Sequence, residues 1–204
     1  GVAGGAYCAK DEIIVSLERM AGIIDICPVT QIAEVEAGMP VAALQDALVT
    51  HGLTYPIDLG SKGSATIGGT IATNAGGNRV IRWGMTRQSV LGLEAVLADG
   101  TIVSSMNRLL KNNTGYDLKH LLIGTEGTIG IVTRAVLKLV PTPTSQNVAF
   151  LSVANHDALI ALLARARRLM TLSAFEVMWP DYYDLVTTHD PSRRPVENGQ
   201  GAYV

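Results

Sequence analysis

Short apolar runs separated by turn residues extend along the whole chain. Residues 12–17 (EIIVSL) are mostly apolar with a β-branched centre, and predict a strand. Ile23–Cys27 predicts a second strand, Pro28-Val29-Thr30 a turn, and residues 31–37 a third strand, giving a hairpin or meander. Pro40 stands where a helix begins, Val41, Leu44 and Leu48 recur at helical spacing, and Gly52 ends the helix. Residues 53–58 then lead into a glycine-rich stretch. Residues 91–97 and 101–104 flank Asp99-Gly100, which predicts a tight hairpin turn with positive φ angles. Residues 129–140 predict a long bent strand that stops at Pro141, and residues 142–146 a linker. Beyond it, residues 148–153 predict a strand. Asn155 or Asp157 caps a helix running to about Met170, with Arg165, Arg167 and Arg168 at its negative end. Residues 174–178 predict a strand, Pro180 opens a short helix, and residues 192–201 form a polar loop. The organisation is α+β with a boundary near residues 141–147.

Composition narrows the classes. The 204 residues are 48% hydrophobic and 17% charged, so the chain can bury a large core. A net charge of -2 and only 5% aromatic residues argue against a nucleic-acid surface. No apolar run approaches the ~20 residues of a membrane helix, and no secretory pattern opens the sequence. Cys8 and Cys27, without a CxxC pair, fit a reducing compartment and packing roles. His51, His120, His156 and His189 are far apart in sequence, so no metal site is expected. The chain opens on Gly1-Val2-Ala3-Gly4-Gly5 without methionine and closes as a strand would begin, which predicts a piece of a longer protein.

The candidate chemistry centres on residues 66–78 (TIGGTIATNAGGN), where small residues dominate and no acid appears. Lys62 lies before this stretch, Arg79 and Arg82 at and after its end. Such a stretch lets backbone approach closely, either to a phosphate held by N–H groups or within a turn between two buried elements. The residues alone support both readings equally. Gly60-Ser61-Lys62-Gly63-Ser64 lacks the spacing of a P-loop, and neither GxGxxG nor GxSxG occurs.

Three longer motifs in order give a stronger signal: ATIGGTIATNAGG at 65–77, LKNNTGYDLKHL at 110–121 and IGTEGTIGIVT at 123–133. Together they resemble the FAD-linked oxidases of the vanillyl-alcohol oxidase type, with their PCMH-type FAD-binding domain. The branch resembled is that of the D-2-hydroxyacid dehydrogenases, including D-lactate and D-2-hydroxyglutarate dehydrogenases. The resemblance implies the second subdomain of the FAD-binding domain over residues 1–141, with a mixed or antiparallel sheet and flanking helices. It also implies the start of a ferredoxin-like cap domain over residues 147–204, where Phe175-Glu176-Val177-Met178 carries the likeness. Residues 1–5 resemble the tail of the family's first phosphate-binding loop.

Residue roles follow from the resemblance. Gly68, Gly69, Gly76 and Gly77 would let main chain touch the flavin's pyrophosphate and ribityl regions, with Ile67 beside them. Thr73 and Asn74 would hydrogen-bond phosphate or ribityl oxygens. Pro56, Gly60 and Ser61 would form an adjoining wall, and Gly84 belongs to the same loops. Gly127, Gly130, Ile131 and Val132 would line the adenine and flavin sides, with Ile131 and Val132 equally readable as strand core. Glu126 would face a ribose or a backbone amide. Asn112, Asn113 and Tyr116 read as near the substrate or as a turn. Arg82 and Arg87 read as phosphate ligands or as surface residues.

The implied cofactor is FAD, held noncovalently, with Cys8 as a packing residue. The implied reaction oxidises a D-2-hydroxyacid and passes electrons to an electron-transfer flavoprotein, cytochrome or quinone. Catalytic residues and any divalent metal site would lie in a C-terminal part outside this chain. A homodimer is compatible, and the compartment expected is the cytoplasm, or the mitochondrion in a eukaryote. The competing readings are a catalytically incomplete flavin-binding module, an oxygen-using alcohol oxidase of the same fold, and a nucleotide-binding protein without flavin.

Overall fold

A computed structural model describes residues 7–190, 192, 194–197 and 200–204. The phosphate-loop likeness of residues 1–5 lies outside the described residues. The chain divides into two compact units, one of Gly1–Gly77 with Trp83–Thr142 and one of Asn78–Arg82 with Pro143–Val204.

In the first unit, β1 (Ile23–Cys27), β2 (Ile32–Glu36), β4 (Val90–Leu97), β5 (Ile102–Ser105) and β6 (Gly130–Lys138) form one sheet in the order β1-β2-β6-β4-β5. Every neighbouring pair is antiparallel. Alternation along β2 sends Ala33 and Val35 into the core while Glu34 and Glu36 stay half-buried on the other face. The helices α1 (Val41–Leu48) and α2 (Ile67–Ala72) contribute Val41, Leu44, Leu48, Ile67 and Ile71, all fully buried, to the same core as Leu93, Ala95, Ala135 and Leu137. A short β3 (Leu53–Thr54) pairs with β7 (Val140–Pro141).

The opposite face carries a charge lattice. Arg134 sits across from Glu94 in the β4–β6 register and binds it at 2.6 Å. Arg108 joins Asp25 at 2.6 Å and Glu34 at 2.7 Å.

The remaining elements of the first unit are α4 (Thr86–Ser89) and α5 (Lys119–Leu122), and α3 (Val80–Trp83) follows the glycine-rich stretch. In the second unit, β8 (Ser152–Val153) pairs with β9 (Ala202–Tyr203), beside α6 (His156–Ala166) and α7 (Pro180–Thr188). Tyr183 stacks on Tyr203 with ring centroids 3.8 Å apart.

Several sequence expectations change. Residues 12–17 form no strand, and Ile13, Ile14 and Val15 are exposed. Their β-branched side chains favour extended backbone, yet a strand needs a partner, and β1 is the outermost member of the sheet. Residues 148–153 shrink to the pair in β8, and residues 174–178 to a bridge between Met178 and Tyr203. The long helix is capped by the Asn155 side chain, which accepts from Ala158 N at 2.9 Å, and it ends at Ala166. The Asp99-Gly100 hairpin is a three-residue loop in which Gly100 alone has positive φ, at 84°. Gly100 N donates to Leu97 O at 3.0 Å and Leu97 N to Thr101 O at 2.9 Å, a turn followed by a left-handed glycine. The described part of residues 192–201 is tied down by Tyr183 Oη to Val196 O at 2.8 Å and by Arg194 Nε to Thr187 Oγ1 at 2.9 Å.

Candidate cofactor site

The site is assembled around α2 by segments that precede and follow it. Pro40, extended at φ -65° and ψ 140°, sets the start of α1. The first amides of α1 have no intrahelical acceptor, and the loop before α2 supplies two. Val41 N donates to Ala65 O at 2.9 Å and Ala42 N to Lys62 O at 3.0 Å. Gln45 Nε2 holds the preceding residues through Tyr55 O at 2.9 Å and Ile57 O at 3.1 Å. Lys62 N, Ser64 N and Ala65 N fold back on Leu59 O and Ser61 O. The amides of Gly60, Ser61 and Gly63 have no acceptor among the described residues, and a Cβ on Gly60 or Gly63 would meet no atom within 4 Å. Pro56 beside them is buried, and Lys62 pairs with Asp58 at 3.1 Å.

The glycine-rich stretch contains a helix. Its apolar members Ile67 and Ile71 are four apart and both buried, which draws residues 67–72 into helical form despite two glycines. The Thr66 hydroxyl caps it, accepting from Gly69 N at 3.1 Å. Ile67 N donates to Met39 O at 2.8 Å and Gly68 N to Ala37 O at 2.7 Å. All three opening amides of α2 are therefore engaged inside the chain. Gly68 is buried, and a Cβ there would stand 2.8 Å from the Ala37 Cβ. Gly69 is exposed, with only Thr66 Oγ1 near the Cβ position.

The other end of α2 is a Schellman motif. Asn74 N donates to Ile71 O at 3.1 Å and Ala75 N to Thr70 O at 2.8 Å, with Asn74 left-handed at φ 48°. The Thr73 hydroxyl donates to Gly69 O at 2.9 Å. The Asn74 side-chain oxygen Oδ1 accepts from Arg87 N at 3.0 Å. Both side chains assigned to flavin oxygens thus have partners within the protein. Gly77, at φ 79°, bridges to Asp58, and a Cβ on it would fall 1.9 Å from Asp58 O. The loops at 55–61 and 73–77 are joined at that point. Gly76 is half-buried next to it. Thr86 N and Oγ1 both donate to Ala75 O, at 2.8 and 2.7 Å, and Gly84 enters α4 with φ 74°.

The third motif closes on the same helix end. Gly124 N donates to Ile71 O at 3.0 Å and Glu126 N to Ala72 O at 2.8 Å. Gly124, Glu126 and Gly127 have φ of 86°, 54° and 81°, and a non-glycine residue such as Glu126 rarely adopts this conformation. Glu126 and Gly127 are exposed, and the Gly127 amide has no acceptor among the described residues. Arg87 fastens the segment: Nη1 donates to His120 O at 2.8 Å, and Nη2 donates to Ile123 O. Burial lowers the His120 pKa, opposed by Asp117 and reinforced by Lys119 and Arg87. The Asp117 carboxyl is held below its usual range, chiefly by a hydrogen bond from Lys119. Gly130 opens β6, Val132 is buried among the core residues, and Ile131 is 40% exposed.

The structure therefore brings Pro56, Gly60, Ser61, Ile67, Gly68, Gly69, Thr73, Asn74, Gly76, Gly77, Gly84, Glu126 and Gly127 onto or around one short helix. Gly130, Ile131 and Val132 begin the adjoining strand. Residues 112, 113 and 116 are exposed, with Asn112 Oδ1 accepting from Thr114 N at 3.1 Å, the geometry of a turn. Sequence reasoning left out Gly63, Gln45 and Thr86, and read Arg87 as a phosphate ligand or a surface residue. The Ser-Lys-Gly-Ser run was the signal for Gly63. Nothing in the sequence marks Gln45 or the long reach of Arg87.

What the arrangement can do is bind an anion through backbone. Amides at Gly60, Ser61 and Gly63 belong to the loop that precedes α2, and the Gly127 amide to the turn that closes on its C-terminal end. Glycine at these points leaves room for close approach, and of the left-handed pair 126–127 only the Gly127 amide is left without an acceptor among the described residues. A nucleotide diphosphate meets these requirements.

The comparisons with known proteins agree. The profile of a family described as "FAD binding domain" matches residues 1–105. A D-2-hydroxyglutarate dehydrogenase from Xanthomonas citri pv. viticola is 43% identical over 189 residues, covering 93% of this chain and 40% of its own length. The mitochondrial D-2-hydroxyglutarate dehydrogenases of Arabidopsis thaliana and Bos taurus are each 42% identical, covering 100% and 97% of this chain and 37% of their own lengths. The chain thus spans about two fifths of the relatives it matches. A solved alkyldihydroxyacetonephosphate synthase superposes with a TM-score of 0.73 at 23% identity, over 87% of this chain and 32% of that one, and so shares the fold. With half of its length matched by the profile and its sheet and helices in that arrangement, the chain belongs to the FAD binding domain family.

Proposed function

We propose that this chain is the FAD-binding part of a dehydrogenase that oxidises a D-2-hydroxyacid to the 2-oxoacid. The observation that carries the reading is the set of amides at Gly60, Ser61, Gly63 and Gly127, without acceptors among the described residues, in the segments before and after α2. These amides would hold the FAD diphosphate, noncovalently, with Gly69, Gly76 and Gly77 along the same surface. The Thr73 hydroxyl oxygen would accept from the ribityl side, and the Glu126 carboxylate from a ribose hydroxyl. Gly130, Ile131 and Val132 would line the ring side of the cleft. FAD, when bound, supplies the two-electron acceptor for the hydride of the substrate carbon. The chain's own part is to bind and orient: Arg87 and Gln45 hold the two flanking segments in register.

Residues 1–141 would then be the cofactor-binding domain and residues 147–204 the opening of a ferredoxin-like substrate cap. The base and the substrate-binding residues would lie in the rest of a longer polypeptide. Electrons would leave to an electron-transfer flavoprotein, cytochrome or quinone, and in a eukaryote the compartment would be the mitochondrion, as in the named relatives. The test is a titration of the purified chain with FAD, followed by dye reduction with D-2-hydroxyglutarate and D-lactate on a full-length form. Saturable FAD binding by the chain and substrate-dependent reduction by the long form are expected. A colourless long form that reduces no dye would contradict the proposal.

A further inference from the structure

The second unit holds a cleft that the cofactor site does not use. Ile81, Arg82, Arg167, Leu169, Met170 and Leu172 line it, and it encloses about 260 Å³. Arg82 Nη1 donates to Met170 O at 3.0 Å, which fixes that guanidinium at the rim. Arg167 is the C-cap of α6, and among the described residues its guanidinium has no acceptor. The turns Leu169 N to Ala166 O at 2.9 Å and Leu172 N to Leu169 O at 3.2 Å set the positions of the apolar wall. That wall faces water: Leu169 is 60% exposed and Met170 94%. Among the described residues, no aspartate or glutamate lines the cleft.

The Arg167 guanidinium, without an acceptor among the described residues, selects an anion, and the fork of an arginine suits a carboxylate or phosphate. The carbonyl end of α6 points negative charge toward the same place, so recognition falls to Arg167 and not to the helix. Exposed leucine and methionine beside them favour an apolar body on that anion. The cleft is smaller than the roughly 300–1,000 Å³ typical of drug-sized ligands, and so suits a small molecule or one end of a larger one. We propose that this cleft binds an organic phosphate or carboxylate with an apolar body, its anionic group on Arg167 and its body against Leu169 and Met170.

The purified full chain, with and without excess FAD, is titrated calorimetrically with hexyl phosphate, hexanoate and inorganic phosphate. Sedimentation with phosphatidylcholine vesicles, with and without phosphatidic acid, tests whether the source is a lipid. Thermal melts of Arg167→Gln and Met170→Ser report folding. Binding of hexyl phosphate or hexanoate, or of the phosphatidic acid vesicles, should persist in excess FAD. It should weaken about tenfold in Arg167→Gln, as expected for the loss of a charge-assisted contact. Met170→Ser should weaken hexyl phosphate and leave inorganic phosphate unchanged. Displacement by FAD, an absence of binding to every probe, or affinities indifferent to both substitutions would overturn the proposal. A lowered melting temperature of Arg167→Gln with unchanged affinity would do so too, because Arg167 would then serve only the end of α6.

Discussion

Gly68 donates its amide hydrogen to the carbonyl oxygen of Ala37 at 2.7 Å, and a Cβ on Gly68 would stand 2.8 Å from the Ala37 Cβ. This contact seats α2 on the end of β2. The glycine answers a close approach within the protein.

Gly68→Ala should therefore destabilise the fold by about 1–3 kcal/mol, reduced by the roughly 1 kcal/mol that alanine gains over glycine in a helix. Urea denaturation measures it. In the background of Ala37→Gly the same change should cost less, since the opposing methyl is gone. Equal costs in the two backgrounds would remove the contact from the account.

Gly77→Ala should cost more. The residue is left-handed at φ 79°, and its Cβ would fall 1.9 Å from Asp58 O. A conformational penalty of about 1–2 kcal/mol adds to a clash that only backbone movement relieves. The expected result is a loss of at least about 2 kcal/mol and faster amide exchange across residues 55–61 and 73–77.

Arg87→Lys keeps the charge and loses the fork that reaches two carbonyl oxygens. It should lower stability by about 1–3 kcal/mol, with faster amide exchange at residues 118–124. An arginine acting only as a phosphate ligand would leave stability alone and change the salt dependence of FAD affinity.

Much of the first unit could be read from the sequence because hydrophobic alternation and helical spacing are local signals. The strands at Ile23–Cys27 and around Gly130–Lys138, and the helix after Pro40, follow directly from them. The helix at Ile67–Ala72 did not, because two glycines mask the spacing of Ile67 and Ile71 and only burial of both makes it form. Residues 12–17 failed for the opposite reason, a local preference with no partner strand. At the site, the motifs mark segments that the fold gathers around α2. Which amides remain available depends on acceptors far away in sequence, such as Ala37 for Gly68 and Met39 for Ile67, and no local pattern shows them.

Acid should weaken the first unit in two windows. His120 has its pKa lowered below 6.5, first by burial, so its neutral form is favoured in the folded state. Its contribution is complete above the unfolded value and declines as pH falls below 6.5. Glu94 is held below 4.5, first by the Arg134 hydrogen bond, so its contribution fades only as pH drops below 4.5. Urea midpoints between pH 3 and pH 7 should show both, on roughly the scale set by ordinary His and Glu titration. His120→Gln should flatten the upper window and Glu94→Gln the lower one.

The most direct measurement is FAD affinity in Gly60→Ala, Gly63→Ala and the unaltered chain, with thermal stability followed in parallel. An added Cβ at either position meets no atom of the protein within 4 Å, so the fold should hold. If FAD phosphates rest on these amides, affinity should fall about tenfold or more while the melting temperature stays the same or rises slightly. Unchanged affinity in both variants, or no FAD binding by the unaltered chain, would contradict the account.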